Sequence, residues 1–129
     1  MTELIIKPQA KTLGVELSEG SLLFSGRSIV SDVKLFFEPV SEWVKKYATE
    51  PAKVTTVTFR LEYIDSPSTK CIMLLLKMIE GIQQKKGHSV TVYWHYALDD
   101  IEMLELGEII KDRLDLEFNF YEFDEKYQD

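Results

Sequence analysis

Two periods run through the chain. In some stretches apolar and polar residues alternate, as in half-buried strands; in others apolar residues recur every three or four positions, as in amphipathic helices. Leu4-Ile5-Ile6 is a short apolar run closed by Lys7-Pro8, suited to an edge strand or a terminal arm. Leu13 to Leu17 alternates, Ser18-Glu19-Gly20-Ser21 reads as a turn, and Leu22 to Gly26 follows, which together predict a β-hairpin. The connector from Gly26 to Asp32 offers helix N-caps. Val33, Phe36, Phe37, Val40, Trp43, Val44 and Tyr47 then fall at helical spacing. Pro39 lies within that stripe and is expected to kink the helix or break it after a short first turn.

Lys53 to Tyr63 is the longest strand candidate, with Val57, Phe59, Leu61 and Tyr63 on one side and Thr56, Thr58, Arg60 and Glu62 on the other. A second helical stripe carries Cys71, Ile72, Leu75, Met78, Ile79 and Ile82, with Gly87 as the expected stop. Ser89 to Tyr96 predicts another strand. Asp99-Asp100 caps a third helix whose expected apolar stripe is Ile101, Leu104, Ile109, Ile110 and Leu114, and Glu117 to Phe123 alternates as a last strand. Asp124 to Asp129 reads as an acidic, frayed tail. Strand–helix alternation from Lys53 onward implies crossovers and a largely parallel sheet, and the N-terminal hairpin makes it mixed. Half of each strand is polar, so the fold expected is α/β (α+β) with helices mainly on one face.

The 129 residues suit one domain, residues 1–129, and 45% hydrophobic content provides for a packed core. A net charge of −7 and a pI near 4.9 argue against nucleic-acid binding, which wants a basic face. The single cysteine, Cys71, has no internal partner; on an apolar helix it reads as a structural thiol in a reducing, cytoplasmic setting. The first residues show no secretory signal, and no apolar run approaches the roughly 20 residues of a membrane span.

Chemistry concentrates in Tyr63-Ile64-Asp65-Ser66-Pro67-Ser68-Thr69-Lys70, between a strand and a helix. Pro67 suits the first helical position, which makes Ser66 the expected N-cap. A phosphate on Ser66 would meet the positive end of the helix and its free N–H groups. The turn can thus carry a hydroxyl or its phosphate, which differ by up to about two charges. Lys70 is placed either to approach such a phosphate from the first turn or to stand as a solvated surface charge.

These residues, with Trp94-His95-Tyr96 and the following Asp99-Asp100, the segment Met103, Glu105, Gly107 and Glu108, and Gly26-Arg27-Ser28 with Trp43 and Tyr47, resemble the SiaC family of bacterial regulatory phosphoproteins. That family's fold is STAS-like, similar to anti-sigma-factor antagonists. Its turn reads Tyr-x-Asn-Thr/Ser-Ser-Ser-x-Lys. The resemblance implies one phosphorylated hydroxyl in the turn, a cognate Ser/Thr kinase, a PP2C-type phosphatase, and an unphosphorylated form that binds and activates a diguanylate cyclase controlling biofilm behaviour. Residue by residue the acceptor falls on Ser66, with Ser68 as the second candidate and Asp65, Pro67, Thr69 and Lys70 as the surrounding turn. This chain has Asp65 where the family has Asn, and Pro67 where it has a hydroxyl. It also has Ile29-Val30-Ser31-Asp32 in place of a Tyr-Pro-Glu-Asp-like segment. The second serine of the broader STAS pattern falls on Pro67, which cannot accept phosphate.

Other chemistries have weaker sequence support. His95 and His88 lack a second ligand at metal spacing, and Asp99, Asp100, Glu102 and Glu105 are explained by a helix start. No phosphate-cradling loop, nucleophile elbow or triad is present, so no cofactor and no enzyme activity are expected. A STAS-like ligand-binding or scaffold module without phosphorylation is the alternative reading.

Overall fold

The structure, a computed structural model, describes residues 1–124; the acidic tail beyond Asp124 lies outside the described residues. The elements in order are β1 (Leu4–Ile6), β2 (Gly14–Ser18), β3 (Ser21–Ser28), α1 (Val33–Thr49), β4 (Val54–Ile64), α2 (Ser66–Gln83), β5 (Ser89–Ala97), α3 (Ile101–Asp112) and β6 (Glu117–Phe123). The strands form one mixed sheet in sequence order. β1, β2 and β3 pair antiparallel, and β3, β4, β5 and β6 pair parallel. The three crossovers step in one direction. Right-handed connections that do so place α1, α2 and α3 on the same face.

Burial follows from that arrangement. Val57, Phe59 and Leu61 of β4, Val90, Val92 and Trp94 of β5 and Phe118 of β6 turn inward and are buried, while Tyr93, His95 and Asn119 between them are only half-covered. Phe24, Phe59 and Trp94 sit in register across β3, β4 and β5, with ring centroids 5.1 and 5.2 Å apart. Such aromatic pairs contribute about 0.5–1.5 kcal/mol each beyond their buried area. Tyr47 is fully buried, and its hydroxyl is satisfied by Thr55 Oγ1 at 2.7 Å and by the Gly20 and Ala52 N–H groups. It ties α1 to the hairpin turn and to the start of β4.

Three expectations need correction. The break expected at Pro39 does not occur, and α1 continues through it as one helix. The proline is on the exposed side, where the Leu35 carbonyl it deprives of a partner can be hydrated. Second, Tyr63 does not join the inward side of β4: it is 48% exposed, and Ile64 is buried instead. Gly26 pairs with Leu61 but Arg27 pairs with Tyr63, so Glu62 is an extra residue that reverses the alternation. Gly26, at φ +93°, provides backbone that only glycine adopts easily at this irregularity.

Third, α3 buries Met103, Gly107 and Ile110, and leaves Ile101 and Ile109 more than half exposed. Leu114 falls beyond the helix end. The reason is Gly107. A Cβ there would stand 2.6 Å from Trp94 Nε1 and 2.8 Å from the Phe120 ring. The helix lies against the sheet through the one position with no side chain, and this sets its rotation.

Candidate functional site

β4 passes the irregularity at Glu62 and ends at Ile64, and the chain turns at once into α2. Asp65 is the N-cap, not Ser66: its Oδ1 accepts from the Ser68 N–H at 2.9 Å, and its carbonyl accepts from the Thr69 N–H at 3.0 Å. The Asp65 N–H donates to the Ser28 carbonyl at 3.1 Å, which fastens the turn to the end of β3. Ser66 and Pro67 become the first two helical residues. Both residue types cap or start helices, and the burial of Ser68 decides the frame. Its hydroxyl lies 2.6 Å from that of Ser28, with both residues fully buried.

The three hydroxyls therefore differ. Ser68 is sealed against Ser28. Thr69 is half-buried and its hydroxyl donates to the Asp65 carbonyl at 2.9 Å. Ser66 is exposed, beside exposed Pro67, and Lys70 is exposed one helical turn further on. The free donors expected for a phosphate are mostly taken: Pro67 has no N–H, and Asp65 accepts from those of Ser68 and Thr69. What remains at this end of α2 is the dipole, with Lys70 four residues on, one helical turn from Ser66.

Ser66 opens into a cleft of about 420 Å³ between the turn and the start of α3. Glu62, Tyr63, Asp100, Glu102 and Leu106 also line it. Asp100 caps α3, accepting from the Met103 N–H at 3.1 Å. Asp99, just before it, holds φ at +68°. Three acidic residues thus line the cleft with Ser66, Glu62 on its own side and Asp100 and Glu102 on the side of α3. A phosphate there would add about two charges to an already negative mouth.

Trp94 holds this wall in place. Its ring is fully buried and its Nε1–H donates to the Met103 carbonyl at 3.0 Å, in the first turn of α3. Trp43 acts likewise at the other end, donating from Nε1 to the Thr2 carbonyl at 2.8 Å.

The family model of the SiaC family regulatory phosphoproteins matches residues 7–123. The chain belongs to the SiaC family. It is 26% identical over 106 residues, 82% of this chain and 83% of the relative, to an uncharacterized protein of Pseudomonas aeruginosa strain UCBPP-PA14. Its fold matches apo-SiaC of Pseudomonas aeruginosa at a TM-score of 0.84, with 24% identity over 94% of this chain and 99% of that one. It also matches SiaC from a complex in which that protein is the activator of the diguanylate cyclase SiaD. There the TM-score is 0.86 and the identity 23%, covering 93% of this chain and 99% of SiaC. These likenesses establish the shared fold.

Within this SiaC-family fold the other sequence candidates separate from the turn. His95 lies on the open face of the sheet, stacked on Tyr121 at 5.4 Å and paired in register with Arg60. Burial first, and then the Arg60 charge, hold its pKa below the usual value. Among the described residues no group of His, Cys, Asp and Glu is placed to hold a metal ion. Cys71 is half-buried, and burial is the main cause that raises its pKa, which keeps the thiol protonated and unreactive. No helix of the described residues is long and apolar enough to cross a membrane.

Sequence reasoning missed Ser28, the partner that closes Ser68, and the place of Glu62 in the cleft. It also missed an apolar groove beside the turn, between α2 and α3. One signal was available: Leu74-Leu75-Leu76 is too wide for one stripe, so one leucine had to face outward. It is Leu74, 66% exposed.

Proposed function

We propose that this chain is a non-enzymatic, cytoplasmic signalling protein, a single regulatory domain switched by phosphorylation of Ser66. A cognate Ser/Thr kinase adds the phosphate and a PP2C-type phosphatase removes it. The unphosphorylated form binds and activates a diguanylate cyclase, and so acts on c-di-GMP and biofilm behaviour. The observation that carries this reading is the difference among the hydroxyls of the turn: Ser66 is open to a modifying enzyme, whereas Ser68 is fully buried and bonded. The acidic cleft supports a mechanism. Two further negative charges beside Glu62, Asp100 and Glu102 make this mouth hostile to an acidic partner surface.

The test is direct. Purified protein mixed with its kinase and ATP should gain one phosphate, located on Ser66 by mass spectrometry, and Ser66→Ala should gain none. Ser66→Ala should keep cyclase binding and Ser66→Asp should weaken it. Equal binding by both variants would remove the switch and favour a ligand-binding or scaffold module that is indifferent to Ser66.

A further inference from the structure

We infer that the groove between α2 and α3 receives an amphipathic helix of the partner, with an apolar stripe between two acidic residues, and that Lys70 links this groove to Ser66. The inference rests on the phosphoswitch reading of Ser66 and adds the surface and chemistry that the switch controls.

The groove encloses about 410 Å³. Met73 and Leu74 of α2 and Leu106 and Ile109 of α3 line it, with Lys70 and Arg113 among its cationic residues. Leu74 and Ile109 are 66% and 52% exposed, an apolar surface that water covers at a cost and a partner covers at a gain. Both helices follow parallel strands and so run in the same direction. Lys70 lies in the early part of α2 and Arg113 caps the end of α3, which sets the two cations at opposite ends. The stretch from Leu106 to Arg113 spans about 10 Å, roughly two helical turns. That length and a two-walled apolar shape suit a short helix laid in a groove.

Charge selects the occupant. The chain carries −7 overall, yet neither Lys70 nor Arg113 makes a side-chain ion pair among the described residues. An acidic chain that leaves cations unpaired at both ends of an apolar groove is complementary to a helix with carboxylates about two turns apart.

The link to Ser66 is geometric. Thr69 and Leu106 line both the groove and the cleft at Ser66, so the two depressions are contiguous. Ser66 and Lys70 are four apart in α2 and share a helix face. A phosphate on Ser66 draws the Lys70 ammonium to itself. The groove then loses the cation at that end and gains a repelling charge in its place.

The experiment uses the full chain and two synthetic helical peptides. One has leucines at helical spacing between two Glu residues about two turns apart; its twin has Lys in place of Glu. The acidic peptide should bind about ten-fold more tightly at low salt, with NMR shifts centred on Leu74 and Ile109. Leu74→Asp and Ile109→Asp, both at exposed positions, should each weaken it by about ten-fold or more with unchanged melting temperature. Ser66→Glu should weaken the acidic peptide in the wild type and weaken it by a smaller factor in Lys70→Gln, where only the added repulsion is left. Equal binding of the twins, indifference to Leu74→Asp, or shifts on the open sheet face around Tyr121 would overturn the inference. So would a dimer of the chain that Leu74→Asp dissolves, since the groove would then belong to a second copy. Failure of the phosphoswitch reads separately, as a Ser66 that accepts no phosphate while the peptides still report on the groove.

Discussion

The hydroxyl oxygens of Ser28 and Ser68 lie 2.6 Å apart in the interior, one at the end of β3 and the other in the first turn of α2. Ser68 Oγ also approaches the Ser28 carbonyl at 3.4 Å. This buried pair fixes the rotation of the first turn, and the fixed rotation turns Ser66 outward. The sealed serine thereby determines that its neighbour two residues away is accessible.

Removing one member should cost more than removing both. Ser68→Ala leaves the buried Ser28 hydroxyl without its partner, and should lower the unfolding free energy by about 1–3 kcal/mol. Ser28→Ala/Ser68→Ala should recover part of that loss. Ser66→Ala, at an exposed position, should stay within about 0.5 kcal/mol of the wild type. Urea denaturation of the three variants checks the order.

Asp65 caps α2 through one carboxylate oxygen, a bond that an amide oxygen can also accept. Asp65→Ala should cost about 1 kcal/mol, and Asp65→Asn a few tenths at most. The asparagine variant also removes a charge beside Ser66. If that charge matters to the switch, the change shows in phosphorylation rate and not in stability. Thermal melts together with a kinase time course separate the two effects.

The strands and the hydroxyl turn were legible because each depends on near neighbours. Alternation from Glu117 to Phe123 marks all of β6, and Asp65 to Lys70 announces itself by composition. The errors came from contacts distant in sequence. Tyr63 faces outward because Gly26 and Arg27 of another strand pair around Glu62. The face of α3 is chosen by Gly107 meeting Trp94, and a glycine adds nothing to an apolar stripe. Asp65 and Ser66 are equal as caps until Ser28 claims Ser68. The groove was hidden for a related reason: Ile109 counts as a core candidate until the rotation of α3 is known.

His95 gives a pH dependence. Burial, then Arg60, lower its folded pKa below the ordinary value of 6.5, so the unfolded chain binds this proton more readily. Stability from this group is therefore fully present above that ordinary value and is lost as pH falls below it, down through the folded pKa. Stability should decline on acidification through this window, and less so in His95→Gln. Equal slopes of stability against pH for the two proteins would show that His95 does not carry the effect.

Gly107→Ala tests whether the wall of the cleft depends on the packing beneath it. The added methyl would meet Trp94 and Phe120 at under 3 Å, both on the sheet, so α3 must rise or rotate. Overpacking of this kind typically costs about 1–3 kcal/mol. The hydrogen bond from Trp94 to the Met103 carbonyl should lengthen, and Asp100 and Glu102 should move relative to Ser66. The expected result is a lower melting temperature, a shifted tryptophan emission and an altered rate of Ser66 phosphorylation. Trp94→Phe removes the same hydrogen bond without adding bulk at Gly107. If the kinase treats Gly107→Ala and Trp94→Phe as it treats the wild type, the position of α3 does not govern access to Ser66, and the turn alone is what the kinase reads.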